Sequence, residues 1–284
     1  MAARYTLRRR YSEQWRLSDM HPLDDVLRVE RMPHIWCPGC GLGIDLACYL
    51  RALKESGLDM DKVTFVSGIG CSGRAAGYVS LDSFHVTHGR AIPFATGLKI
   101  AKPELTISVF GGDGDIFAIG GNHFIHAARR NMDLNVICVN NAIYGMTGGQ
   151  VAPGTPLHAK TTTTPYGNYE HPFNFSYMAA ASGATYVARW TTAQPKELTK
   201  SMKEALLWRG FSFIEVVSMC PTTFGRRNGF ADGLEMLKDM KSKSVVKNSP
   251  DLKETDIGEK IIVGKFVEMK KESYLESRGE VIRK

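Results

Sequence analysis

Asp113 and Asn141 are the residues of this chain best placed for chemistry. Each follows a short apolar run, Leu105–Phe110 and Leu134–Val139, and a helical segment reaching to about Arg130 lies between them. Asp113 stands in Gly111-Gly112-Asp113-Gly114-Asp115, and Asn141 closes the pair Asn140-Asn141. Oxygen donors on two such turns suit a hard cation. Magnesium keeps octahedral geometry and takes one or two carboxylates together with phosphate oxygens of a ligand. The glycines beside Asp113 let backbone come close to a diphosphate, and a helix N-terminus behind them favours negative charge. Sulfur offers a second chemistry, for the chain has six cysteines. Cys37 and Cys40 form C-x-x-C at a helix start, Cys71 lies in a glycine-rich turn, and Cys220 follows a strand. Cys48 and Cys138 fall inside a helical and a strand pattern and read as inert core. By itself C-x-x-C fits a redox pair, half of a zinc site or half of an iron–sulfur site. Four thiolates hold a [4Fe–4S] cluster or a structural zinc, and spacing does not separate the two.

The elements that must position these groups can be read from the apolar pattern. Strand, helix and strand over 105–141 make a βαβ unit. Its crossover is right-handed and its strands parallel, so Asp113 and Asn141 leave the carboxyl edge of one sheet within reach of each other. The spacing predicts a helix at Leu42–Lys54, a strand at Val63–Ser67, a helix near Phe175–Ser182 and a strand at Thr185–Ala188. A helix at Pro195–Trp208 and a strand at Phe213–Val217 follow. This is an α/β chain with an open, mostly parallel sheet and helices on both faces. The organisation reads as an N-terminal extension at 1–30, a cofactor-binding domain at 31–228 and a lysine-rich subunit-docking tail at 229–284. From Val151 to Phe173 the chain is polar and turn-rich, and a loop that long inside a compact domain is usually functional.

Composition narrows the class. With 284 residues, 43% of them hydrophobic, the chain can bury a sizeable core. Its net charge of +7 is diffuse, with Arg8, Arg9 and Arg10 at one end and lysines from Lys238 to Lys271 at the other. Neither end interleaves aromatic and basic residues as a nucleic-acid module does, so the charge points to an acidic partner and no nucleic acid. No apolar run reaches the length of a membrane span, and the arginine-rich start lacks a signal-peptide core. A cytoplasmic chain is expected, with its cysteines serving metal or redox chemistry before disulfides.

One decoy stands in the way. Gly68-Ile69-Gly70-Cys71-Ser72-Gly73 follows a strand and satisfies G-x-G-x-x-G, the dinucleotide fingerprint. That fingerprint also needs an acidic residue about 20 positions on to hold a ribose. None stands between Asp82 and Glu104, where His88-Gly89-Arg90 lies instead. An NAD-dependent dehydrogenase using Gly68–Gly73 is the rival reading.

GDG followed by NN resembles the thiamine diphosphate signature. In order, WCPGCG, GIGCSGR, THGR, GDGD and NNAIYGMTGGQ resemble the β subunit of the 2-oxoacid:ferredoxin oxidoreductases, over roughly Pro33 to Asn228. The resemblance implies a thiamine diphosphate-binding fold, with magnesium held by Asp113, Asn141 and the carbonyl of Ile143. It implies a [4Fe–4S] cluster on Cys37, Cys40, Cys71 and Cys220. The cofactor would be lined by Ile69, Gly70, Cys71 and Ser72 of one turn, by His88, and by Gly112, Gly114 and Asp115 around the aspartate. Gly145 and Met146 complete that lining. The implied reaction is oxidative decarboxylation of a 2-oxoacid to acyl-CoA, with coenzyme A and ferredoxin as acceptors. An α subunit is the implied partner, in a heterodimer or a dimer of heterodimers, and supplies the glutamate that activates the cofactor. TPYGNYEHPF and CPTTFGRRN are most similar to the 2-oxoglutarate members, while pyruvate or a branched 2-oxoacid stays open. Guanidinium pairs carboxylate bidentately. Of Arg74, Arg90, Arg226 and Arg227, Arg74 is nearest the cofactor turn and is the expected catalytic cation. A chain that only relays electrons is the third reading.

Overall fold

Strand residues alternate between the two faces of a sheet, and strands covered by helices on both sides read as continuous apolar runs. In the computed structural model, which describes residues 21–283, five such runs form buried strands. They are β1 (Val63–Ser67), β3 (Thr106–Gly112), β4 (Asn135–Asn140), β5 (Tyr186–Thr191) and β6 (Ser212–Val217). Phe65, Phe110, Ile137, Ala188 and Ile214 join one core with α1 (Leu42–Ser56), α5 (Pro195–Leu206) and α6 (Gly233–Lys243). Val109, Val136, Cys138, Val187 and Phe213 join the other with α2 (Ala91–Ala101), α3 (Gly121–Arg129) and α4 (Phe175–Ala181). Fully burying one Leu or Phe side chain contributes about 1.5–3 kcal/mol. These two cores, rather than the intrinsic stability of short helices, therefore hold the layers together.

The strand order is β2-β1-β3-β4-β6-β5-β8-β7, with β2 (Asp82–His85), β7 (Ser244–Val246) and β8 (Ile261–Glu268) at the flanks. Strands β1 to β6 run parallel; β8 enters antiparallel against β5 and carries β7 parallel to itself. The chain is thus the mostly parallel open sheet, helices on both faces, that its apolar pattern predicts. From β1 the chain goes to β2 on one side and then to β3 on the other. Ligands of open α/β sheets bind outside the carboxyl ends at such a reversal. The Gly68 turn and the Asp113 turn both lie there.

Two stretches differ from expectation. Within the lysine-rich span expected at 229–284, the described residues 229–283 fold into α6, β7, β8 and α7 (Tyr274–Arg283), and β8 pairs inside the main sheet. Its lysines conceal a buried set of Met236, Ile261, Ile262, Val263 and Phe266. Of the extension expected at 1–30, residues 1–20 lie outside the described residues. Beyond them Leu23 and Val26 are buried in the first core, and Leu27 pairs with Val79. Among the described residues no helix is long and apolar enough to cross a membrane.

Candidate active site

Gly112 of β3 pairs with Val139 of β4, so Asp113 leaves the sheet beside Asn140. Asp113 is buried, and its Oδ2 has no hydrogen-bond partner. Gly154 of the long loop closes over it: a Cβ there would lie 3.0 Å from Asp113 Oδ2 and 2.5 Å from Asn140 Oδ1. Burial pushes the Asp113 carboxyl up to about 7; the Gly114 and Gly154 backbone N–H groups pull against that rise and Glu215 adds to it. A desolvated carboxylate with one bare oxygen gains most from a cation at that oxygen. Asn141 is half-buried, and its Oδ1 accepts the Ile143 N–H at 3.3 Å. Between them Ala142 has φ 62°, a left-handed conformation costly for a non-glycine residue. Thr155 holds it there by donating its hydroxyl to Ala142 O at 2.6 Å. The orphaned oxygen and the glycine-only approach fit a metal with a diphosphate.

The loop that delivers Gly154 is well tied. Asn168 is buried, and its Nδ2 donates to the carbonyls of Thr155, Pro156 and Glu170. Lys160 N donates to Asn228 Oδ1 at 2.8 Å, which fastens the loop to the turn after Cys220. The loop's length marked it as functional in the sequence, whereas nothing marked Gly154 among its glycines.

Asp115 is buried and turned back into the protein. Its Oδ1 accepts from His88 Nδ1 at 2.6 Å, Gly89 N at 2.8 Å and Ile69 N at 3.2 Å. Gly68 packs on the same carboxylate, where a Cβ would stand 2.0 Å from Oδ2. One side chain thus ties together the turns after β1, β2 and β3. His88 is engaged through Nδ1, so Nε2 is the ring nitrogen left to meet a ligand. Where the sequence predicts an uninterrupted helix, the chain first makes a π-helical turn, Gly114–Ile119. Such wide turns frequently mark functional sites. Tyr144 covers Gly114, where a Cβ would meet its ring at 2.2 Å, and it meets the His88 ring edge-on at 6.3 Å between centroids. Ser72 Oγ lies against Gly112, within 3.1 Å of where a Cβ would be. Gly70 has φ 111°, open to glycine alone, while Ile69 and Met146 are 41% and 43% exposed. After Cys71 the chain makes a six-residue 3-10 turn, Ser72–Gly77, instead of the helix a dinucleotide fingerprint opens. The NAD-dependent reading loses its helix N-terminus.

Three segments carry sulfur to this edge. Trp36 Nε1 donates to Cys71 O at 2.7 Å, joining the Cys37–Cys40 turn to the turn after β1. Gly41 N donates to Met219 O at 3.1 Å, and Ser218 Oγ donates to Asp45 Oδ2 at 2.6 Å, joining the same turn to the end of β6. A Cβ on Gly145 would lie 3.5 Å from Cys220 Sγ and 3.8 Å from Cys71 Sγ. Burial pushes the Cys40 thiol up to about 12, with the Cys220 and Cys71 thiols adding to the rise. It pushes Cys71 up to about 11, with Cys220 and Cys37 adding. Cys71 feels the charge of Cys37 and Cys220, and Cys40 that of Cys220 and Cys71, which fits a group that takes thiolates. Among the described residues, no three His, Cys, Asp or Glu side chains close on a point as they do around one ion. Cys48 and Cys138 are buried.

The arginines divide. Arg74 stands exposed on the Ser72–Gly77 turn, where its charge favours the Cys71 thiolate. Arg90 is occupied by the carbonyls of Gly89 and Ile119. Arg226 and Arg227 are exposed on the turn Gly225–Asn228.

Residues 68–216 match the family described as thiamine pyrophosphate enzyme, C-terminal TPP binding domain. Over 266 residues the chain is 51% identical to 2-oxoglutarate synthase subunit KorB of Methanocaldococcus jannaschii, covering 93% of this chain and 98% of that one. The chain belongs to the 2-oxoacid:ferredoxin oxidoreductase β subunits. This β subunit is also 53% identical to 2-oxoglutarate synthase subunit KorB of Archaeoglobus fulgidus, over 82% of its own length and 86% of the relative's. A solved structure of 2-oxoglutarate:ferredoxin oxidoreductase from Magnetococcus marinus matches it with a TM-score of 0.82 at 32% identity. That match covers 93% of this β subunit and 90% of the other chain.

Proposed function

We propose that this β subunit holds thiamine diphosphate, magnesium and a [4Fe–4S] cluster for a cytoplasmic enzyme that oxidatively decarboxylates 2-oxoglutarate. Coenzyme A takes the acyl group and ferredoxin the electrons. The observation that carries the reading is the bare, buried Oδ2 of Asp113, beside the amide pair and on the edge where the cysteine turns meet. The substrate reading is supported by relatives named 2-oxoglutarate synthase subunits and by a solved relative holding 2-oxoglutarate, coenzyme A and succinyl-CoA.

Bound thiamine diphosphate would supply a carbon nucleophile for the 2-keto group and an electron sink as carbon dioxide leaves. Asp113, Asn141 and the Ile143 carbonyl would hold the magnesium that meets its diphosphate. Gly112, Gly114 and Gly154 leave room for Ser72, for the Tyr144 ring and for the oxygens of Asp113 and Asn140, which stand close to where a Cβ would be. Asp115, which fixes Ile69 and His88, would place them beside the cofactor with Gly70, Cys71 and Ser72, and Gly145 and Met146 would complete the lining. Cys37, Cys40, Cys71 and Cys220 would each give a thiolate to the cluster, and bound iron would reverse the burial penalty that now keeps Cys40 and Cys71 protonated. Arg74, exposed on the turn beside Cys71, would meet a substrate carboxylate.

The test is co-purification of this β subunit with its α subunit, followed by analysis for iron, sulfide, magnesium and thiamine diphosphate. The complex is expected to be brown, to bleach on reduction, and to reduce ferredoxin with 2-oxoglutarate and coenzyme A. A colourless, zinc-loaded complex would overturn the cluster. Faster turnover of pyruvate than of 2-oxoglutarate would overturn the substrate.

A further inference from the structure

Glu215 sits in the middle of a buried parallel strand, and Arg189 faces it from β5. Both side chains are fully buried, with Arg189 Nε 2.7 Å from Glu215 Oε2. Ser176 Oγ donates to the same oxygen at 2.7 Å, and Asn140 Nδ2 donates to Oε1 at 2.9 Å. Arg189 also donates to the carbonyls of Thr255 and Ile262 and to Asn174 Oδ1. Asn174 caps α4 and donates to Leu252 O, Thr255 Oγ1 and Asp256 Oδ1. A line of buried polar contacts therefore crosses the sheet from the C-terminal segment to the tip of β4.

Stability alone does not call for it. Replacing a buried ion pair by apolar side chains of similar volume is often neutral or stabilising, whereas a fully satisfied polar network fixes one geometry. Asn140 is the member of this network at the carboxyl edge, and its amide has two different ends. A carboxylate offers acceptors only, so Glu215 draws the NH₂ end and turns Oδ1 the other way. That oxygen lies against Gly154, as does the bare Oδ2 of Asp113.

We propose that Arg189 and Glu215 are positioning residues which orient the Asn140 amide and so set Gly154 and the Asn141 turn around Asp113. The inference rests on the reading of Asp113 and Asn141 as magnesium ligands. It is tested on the co-purified αβ complex, freed of magnesium and thiamine diphosphate by chelation. The magnesium needed for half-saturation is read from tryptophan fluorescence at fixed thiamine diphosphate, with the cluster's visible absorbance and the melting temperature alongside. Glu215→Gln, whose amide can meet Asn140 in either orientation, is expected to raise that concentration about 10- to 100-fold, as loss of an outer-shell partner does. The paired change Arg189→Met with Glu215→Leu should do the same while keeping the parent's absorbance and melting temperature. Asn140→Ala leaves the ion pair whole and guards against variants that fail to fold; it should raise the requirement likewise. Parent-like magnesium dependence in any folded variant would overturn the proposal and leave the magnesium site standing. A parent complex that binds thiamine diphosphate without magnesium would overturn the site reading and this inference with it.

Discussion

Gly154 packs directly on Asp113 and Asn140. Its missing side chain lets two oxygens approach the same backbone, and Asn140 is held by Glu215. Gly154→Ala should therefore cost about 1–3 kcal/mol of overpacking and lower magnesium affinity roughly tenfold or more, read by titration calorimetry. Asp113 makes a second expectation. In the metal-free chain its carboxyl stands at about 7 against an ordinary 3.8. The folded state then holds a proton that the unfolded chain has released between those values. This group's contribution makes the metal-free chain more stable as pH falls through 7 and less stable as pH rises. Magnesium competes with that proton, so its affinity should fall about tenfold for each pH unit below 7 and level off above. Affinity that ignores pH across this range would remove Asp113 from the ligand set. The strand-end places of Asp113 and Asn141 were legible, because the apolar runs that precede them mark the strands. The meeting of Asn140, Gly154 and Glu215 was not, since it arises from contacts across the fold; the one local signal was a lone carboxylate inside the apolar run Phe213–Val217.

Turns after parallel strands build this site, and Asp115 is what couples three of them. Asp115→Ala strands the N–H groups of Ile69 and Gly89 and frees His88. A loss of about 3 kcal/mol is expected for stranding such groups, read as a lower melting temperature of the complex. Cys71→Ser should separate the two chemistries of the turn after β1: visible absorbance is lost while magnesium-dependent thiamine diphosphate binding persists. The strands that frame these turns were readable as apolar runs, and β1 falls on its expected residues, Val63–Ser67. Strand β2 was not readable, because it lies at an edge with mostly exposed side chains and shows no run or alternation. Strand β8 was hidden by surrounding lysines, and the π-helical turn has no propensity signature. Within it Asp115 turns its carboxylate back toward the turns after β1 and β2.

At the scale of the molecule, the site edge is unfinished in one respect. Ile69 and Met146 present apolar side chains there, and the long loop displays Tyr166 and Tyr169, which are 100% and 81% exposed. Such groups fit a surface that a second subunit covers. The β subunit alone is expected to show no ferredoxin reduction with 2-oxoglutarate and coenzyme A, and addition of the α subunit should restore it. Turnover by the isolated chain would show that it completes the site unaided. The order of the sulfurs along the chain has its own consequence for biogenesis. Cys37 and Cys40 precede the first strand, while Cys220 follows β6, the last of the parallel set to be synthesised. A nascent chain cannot offer all four sulfurs until nearly the whole sheet has emerged from the ribosome. On the proposed reading, loading with iron would be a late step, and a product terminated ahead of Cys220 would present the assembly machinery with an incomplete socket.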